Sequence, residues 1–91
     1  MADLFNTLSS GVRREIISLL KDKDLTAGEI ADRLDVTKPT LSGHFNVLKS
    51  ADLIIAERSG TTITYSLNTT VAEELLASLV GLLTSKEKDK G

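Results

Sequence analysis

Two brief stretches of helical periodicity meet across a tight turn, and an alternating pattern follows them; this order constrains the fold more than any other feature. In the first stretch Ala27, Ile30, Ala31 and Leu34 recur at helical spacing. In the second, Leu41, Phe45 and Leu48 sit at i, i+4 and i+7 and define one apolar face. The turn between them runs from Leu34 to Thr37. From Leu53 to Arg58 and from Thr62 to Leu67 the pattern reads as strand. In the second of these, Ile63, Tyr65 and Leu67 alternate with Thr62, Thr64 and Ser66. Ser59-Gly60-Thr61 joins the strands, with glycine supplying positive φ. Helix, tight turn, helix and hairpin together predict a winged helix-turn-helix.

The element boundaries carry their own chemistry. Thr26-Ala27-Gly28-Glu29 is a capping-box pattern. Thr37 is a good N-cap, and Pro39 falls in the first turn, where its missing N–H costs nothing. Upstream, Leu4, Phe5 and Leu8 mark a short helix, and Ser9-Ser10-Gly11 breaks it and offers a cap for the next. Val12, Ile16, Leu19 and Leu20 carry that second helix to about residue 22. Downstream, Asn68 and Thr69 lead to Thr70, the expected cap of a last helix, with Glu73 in the box position. The predicted fold is mainly α with a small β-hairpin, in the order α-α-α-α-β-β-α. It is expected to form one domain over residues 1–84, followed by a charged flexible tail at 85–91.

Charge is distributed unevenly. The 91 residues sum to −2, which by itself argues against a nucleic-acid partner. Residues 22–35 nevertheless hold five acids (Asp22, Asp24, Glu29, Asp32 and Asp35), and residues 36–51 hold none. That second segment carries Lys38, His44 and Lys49, and the next strand supplies Arg58. The stretch expected to meet DNA is therefore free of like charge, while the acidic total keeps non-specific affinity low.

Other classes are excluded by absence. There is no cysteine, so disulfides, thiolate metal sites and thiol redox switches drop out. His44 is the only histidine, and no histidine-rich metal site or triad spacing exists around it. No Gly-rich phosphate loop is present, so an enzyme lacks support. No cofactor is expected. No apolar run approaches a membrane span and the first residues do not read as a signal peptide, so a cytoplasmic location is expected.

The predicted recognition helix begins Thr37-Lys38-Pro39-Thr40-Leu41-Ser42-Gly43-His44. With Leu41, Phe45 and Leu48 turned inward, Ser42, Gly43 and Asn46 turn outward, flanked by Thr40 and Val47. The hydroxyls suit phosphates or base edges, Lys38 suits phosphate or guanine, and Gly43 permits close approach. Thr37 reads first as a cap that also neighbours phosphate. His44, at the edge of the apolar face, stands between a structural hydrogen-bonding role, which is favoured, and a base contact. Arg13 is balanced between surface charge and phosphate contact, and so is Arg58 at the wing base. Gly60 and Thr61 complete the wing tip.

The last helix is too apolar for one covered face. Val71, Leu75, Leu76, Leu79, Val80, Leu82 and Leu83 are seven large apolar residues in thirteen positions. One side can cover the core; the other, joined by Leu4, Phe5 and Leu8, is left for a partner. A two-fold homodimer through Leu4, Phe5, Leu8, Leu75, Leu76, Leu79, Leu82 and Leu83 is the simplest solution, and it sets two recognition helices about one DNA turn apart.

In these stretches the chain resembles the ArsR/SmtB family of bacterial winged-helix repressors, across residues 4 to about 83. The resemblance is carried by 4–9, 12–20, 25–31 and 37–49, and by Tyr65-Ser66-Leu67-Asn68; Ser42-x-His44 and Tyr65-Ser66-Leu67 match family hallmarks. It implies a homodimer built on the first and last helices, operator binding by the fourth helix and wing, and repression relieved by a signal. Many relatives sense metals through a cysteine pair near the third helix or Asp/His/Glu clusters on the last. Here the third helix has no Cys, and the last has Glu73 and Glu74 with no His. The chain looks closest to the metal-free, SdpR-like subgroup, in which the analogy is autoregulation relieved by a membrane or other protein partner. It departs from the family at Gly43, Phe45 and Asp52, and Thr61 and Thr62 replace the arginine often found after the wing glycine. The expected function is a sequence-specific repressor of its own operon, bound as a homodimer to a pseudo-palindromic operator. The alternative is a winged-helix protein–protein module without DNA binding.

Overall fold

The computed structural model describes the backbone of residues 4–90 and the side chains of residues 6–84. The elements run α1 (Leu4–Leu8), α2 (Gly11–Asp22), β1 (Leu25–Thr26), α3 (Ala27–Leu34), α4 (Lys38–Ser50), β2 (Ile54–Ser59), β3 (Thr62–Leu67) and α5 (Thr69–Lys90). The helix-turn-helix is α3 and α4, and the wing is β2 and β3.

The helix ends follow local chemistry. Ser10 caps α2 by accepting from the Arg13 N–H, and Thr37 caps α4 by accepting from the Thr40 N–H. The Thr26–Glu29 capping box is formed in full. Asp35 ends α3 in the left-handed region at φ 54°, its N–H bonding Ala31 O. Asp52 takes φ 60° after α4, a conformation Asp tolerates better than most residues.

One core joins these parts. Ile16 and Leu20 of α2, Ile30 of α3, Leu41, Phe45 and Leu48 of α4, and Leu25, Leu53, Ile54 and Tyr65 of the sheet region are buried together. Fully burying one such aliphatic side chain contributes about 1.5–3 kcal/mol, so six essentially inaccessible ones (Ile16, Leu25, Ile30, Leu41, Leu48, Leu53) dominate stability. Phe45 stacks on Tyr65 with ring centroids 4.2 Å apart and planes at 23°, fixing α4 to β3. Burial also pushes the Tyr65 hydroxyl pKa up.

Three local expectations are corrected. The sheet has three strands, in the order β1-β3-β2, because Leu25 and Thr26 pair antiparallel with Tyr65 and Thr64. The element order is therefore α-α-β-α-α-β-β-α. In the wing, β2 starts at Ile54 and ends at Ser59, which pairs with Thr62, leaving Gly60-Thr61 as a two-residue turn with Gly60 at φ 63°. Leu53 instead bridges elements: its N–H bonds Leu48 O, and its carbonyl accepts from Asn68 N–H at 2.9 Å. That second bond pins Asn68 where it caps α5, with its side-chain oxygen accepting from Val71 N–H and its carbonyl from Ala72 N–H. Asn68 takes the role expected of Thr70.

The capping box gives a pH-linked prediction. Glu29 Oε1 accepts from the Thr26 backbone N–H at 2.8 Å, and this bond is the largest cause lowering the Glu29 pKa from its ordinary 4.5. Because the folded pKa lies below the unfolded one, the stabilisation is present above the unfolded value and is lost as pH falls through the folded value. Glu29→Gln should therefore lower the thermal midpoint at neutral pH. The gap to the parent should shrink as pH is taken below the ordinary 4.5 and through the lowered folded value. A gap of constant size across that range would show that the ionised carboxylate contributes nothing.

Candidate nucleic-acid interface

The outward face of α4 follows from what its inward face buries. Leu41, Phe45 and Leu48 are 0–3% exposed. The helical period then places Ser42, Gly43 and Asn46 in solvent, with Thr37, Lys38, Pro39 and Thr40 exposed at the leading end. No acid lies on α4. A Cβ built on Gly43 would meet nothing within 4 Å, so packing inside the molecule does not require glycine there. Its lack of a side chain lowers the outward face instead.

Thr37 is occupied locally. Its hydroxyl donates to Thr40 Oγ1 at 3.0 Å while accepting from Thr40 N–H. Lys38 leans over the start of α3: a Cβ on Gly28 would lie 3.5 Å from Lys38 Cε and 3.7 Å from Nζ. A cleft of about 420 Å³ opens there, lined by Thr26, Ala27, Gly28, Lys38, Thr61, Thr62 and Ile63. Lys38 and the wing-tip Thr61 thus line one cleft. Sequence reasoning did not bring Gly28 into this group, and its position in a capping box gave no signal for it. Arg58, expected at the wing base, instead pairs with Ile63 one residue pair from the turn, because β2 runs from Ile54 to Ser59; it and Gly60 are exposed towards the wing tip.

Arg13 lies at the start of α2, against the middle of α4. It is half-buried, and each of its guanidinium nitrogens has an internal partner. Nε donates to Thr7 O at 2.6 Å, Nη2 to Asn6 O at 2.9 Å, and Nη1 lies 3.3 Å from His44 Nδ1. Arg14 Nη1 donates to Leu8 O at 2.6 Å. Two arginines at the start of α2 therefore satisfy the last carbonyls of α1. His44 sits half-buried beside Arg13.

The residues expected at a dimer contact fall into groups. Leu76, Leu79, Leu82 and Leu83, with Val80, are 41–69% exposed along α5. Leu8 and Leu75 are half-buried and pack partly on the monomer's own core, beside Val71. The side chains of Leu4 and Phe5 lie outside those described. Among the described residues, no group of three or more His, Cys, Asp or Glu could hold a metal ion, and no helix is long and apolar enough to cross a membrane.

Residues 8–57 match a family model described as a helix-turn-helix domain. Over 89 residues, 98% of this chain and 99% of the other, the sequence is 39% identical to the transcriptional repressor SdpR of Bacillus subtilis (strain 168). The chain belongs to the ArsR family of winged-helix repressors. Among solved structures, M. tuberculosis Rv0081 is 31% identical over 94% of this chain and 87% of that one, with a TM-score of 0.70. A crystal structure of an ArsR family transcriptional regulator reaches a TM-score of 0.81, covering 91% of each chain at 22% identity, a likeness of fold alone. As an ArsR family member the chain is a DNA-binding transcriptional regulator and not an enzyme.

Proposed function

We propose that two copies of this chain bind a pseudo-palindromic operator upstream of their own gene and repress it, with one α4 in each of two successive major grooves. The observation that carries the reading is the acid-free outward face of α4, in which Ser42, Gly43 and Asn46 stand opposite a fully buried face. Ser42 and Asn46 reach base edges, and Gly43 allows the helix to approach. Lys38, with Thr61 across the shared cleft, meets the phosphates alongside, and Arg58 extends that contact along the wing. Thr37 and Thr40 steady the end of the helix that enters the groove. The exposed α5 stripe joins the two copies, and two-fold symmetry then sets the half-sites about 34 Å apart.

Fluorescence anisotropy on the duplex upstream of the gene, beside a scrambled duplex at two salt concentrations, tests this. Tight, salt-steep binding to the first duplex is expected. Lys38→Ala should reduce the salt slope by about 0.9 per subunit, and Ser42→Ala should leave the slope alone while weakening discrimination between duplexes. Equal binding to both duplexes, or none, would overturn the autorepressor reading.

A further inference from the structure

We infer that Arg13 is a positioning residue for operator binding: it acts through His44, holding the recognition helix against α1 and fixing which ring nitrogen carries the proton. The inference rests on the DNA-binding reading of α4 given above.

The chemistry is one-directional. A guanidinium only donates, so at 3.3 Å from Arg13 Nη1 the Nδ1 of a neutral His44 must be the accepting nitrogen. The proton of the ring then resides on Nε2. His44 thereby has an N–H to donate at Nε2, and phosphate oxygens and guanine O6 and N7 are all acceptors. A ring with the proton on Nδ1 would present an acceptor to the same groups and would lose the arginine as well.

The mechanics follow from the other two nitrogens. Nε and Nη2 are held by Thr7 O and Asn6 O, so the guanidinium cannot swing toward a phosphate without leaving α1 uncapped. His44 stands mid-way along α4, one residue from both Gly43 and the buried Phe45. Arg13 therefore ties three things that sequence separates: the end of α1, the start of α2 and the middle of the reading helix. Any shift of α1 is passed to the His44 ring through one rigid plane.

Because His44 is the only histidine, its ring nitrogens can be read without ambiguity by long-range ¹H–¹⁵N NMR in the free protein. At a pH where the ring is neutral, we expect Nε2 protonated and Nδ1 shifted as a hydrogen-bond acceptor, with Arg13→Ala removing that shift. A proton on Nδ1, or an Nδ1 resonance unmoved by Arg13→Ala, would overturn the inference even if DNA binding is intact. In anisotropy, Arg13→Ala is expected to weaken operator affinity about tenfold while leaving the salt slope unchanged; a slope lower by about 0.9 per subunit would make Arg13 a direct phosphate contact instead. Arg13→Ala and His44→Ala should be non-additive, each masking most of the other's effect. His44→Asn, which keeps an acceptor near the Nδ1 position but no donor in place of Nε2–H, should retain the coupling to Arg13 and still bind weakly. Additive losses would sink the coupling. Absence of operator binding by the parent, with the ring tautomer as expected, would instead count against the proposed function alone.

Discussion

Leu41→Ala should destabilise the protein by about 2–5 kcal/mol, the range for emptying a fully buried leucine site. Leu41 is 0% exposed and lies on the face of α4 that also buries Phe45 and Leu48. Its loss removes transfer energy and leaves a void that neighbours fixed in three helices and a sheet cannot collapse to fill. Small domains are held by roughly 5–15 kcal/mol in total, so this single change takes a large share. Operator affinity should fall with it, because the outward face of α4 is oriented only by what its inward face rests on. Urea unfolding at fixed protein concentration measures the effect; the concentration must be held because association adds to apparent stability. A loss below about 1 kcal/mol would mean that α4 is not seated on the core as described.

Leu79→Glu together with Leu83→Glu should produce a folded monomer that no longer holds its operator. Leu79 and Leu83 are 41% and 69% exposed, so their replacement removes little from the protomer's own core. In a dimer the same positions would bury four like charges against one another without partners. Two linked half-site contacts gain roughly 100-fold or more over one, and that advantage should vanish with the dimer. Sedimentation velocity, circular dichroism and anisotropy together decide the matter. A double variant that remains dimeric with full affinity would move the association surface away from α5.

Much of this was legible in the sequence because it depends on short-range physics. The inward set Leu41, Phe45 and Leu48 follows from helical spacing, and all three are buried. Thr26, Glu29 and Thr37 act at helix ends over three residues, and each does what its side chain suggested. What escaped depends on pairing across long stretches of chain. Leu25-Thr26 is too short to show a period of two, and it becomes strand only because Tyr65 and Thr64 lie beside it. Asn68 and Thr70 are both able caps; the bond from Asn68 N–H to Leu53 O chooses between them. The Arg13–His44 contact spans 31 positions, so local pattern left the arginine balanced between solvent and phosphate. The wing cleft is similar, since only the fold sets Gly28 and Lys38 beside Thr61.

The central place of β3 bears on the thermodynamics of the wing. With β1 on one side and β2 on the other, β3 forms the middle of a sheet rather than one arm of a free hairpin. The short strand before α3 thus ties the wing to the same frame that carries the reading helix. A two-stranded ribbon alone is marginal in water and would have to be ordered at the moment of encounter. Here most of that ordering is complete when the chain folds. Beyond Thr64 the hairpin runs on as two strands to the Gly60-Thr61 turn, so on the proposed reading α4 and the base of the wing reach DNA with their mutual angle already set.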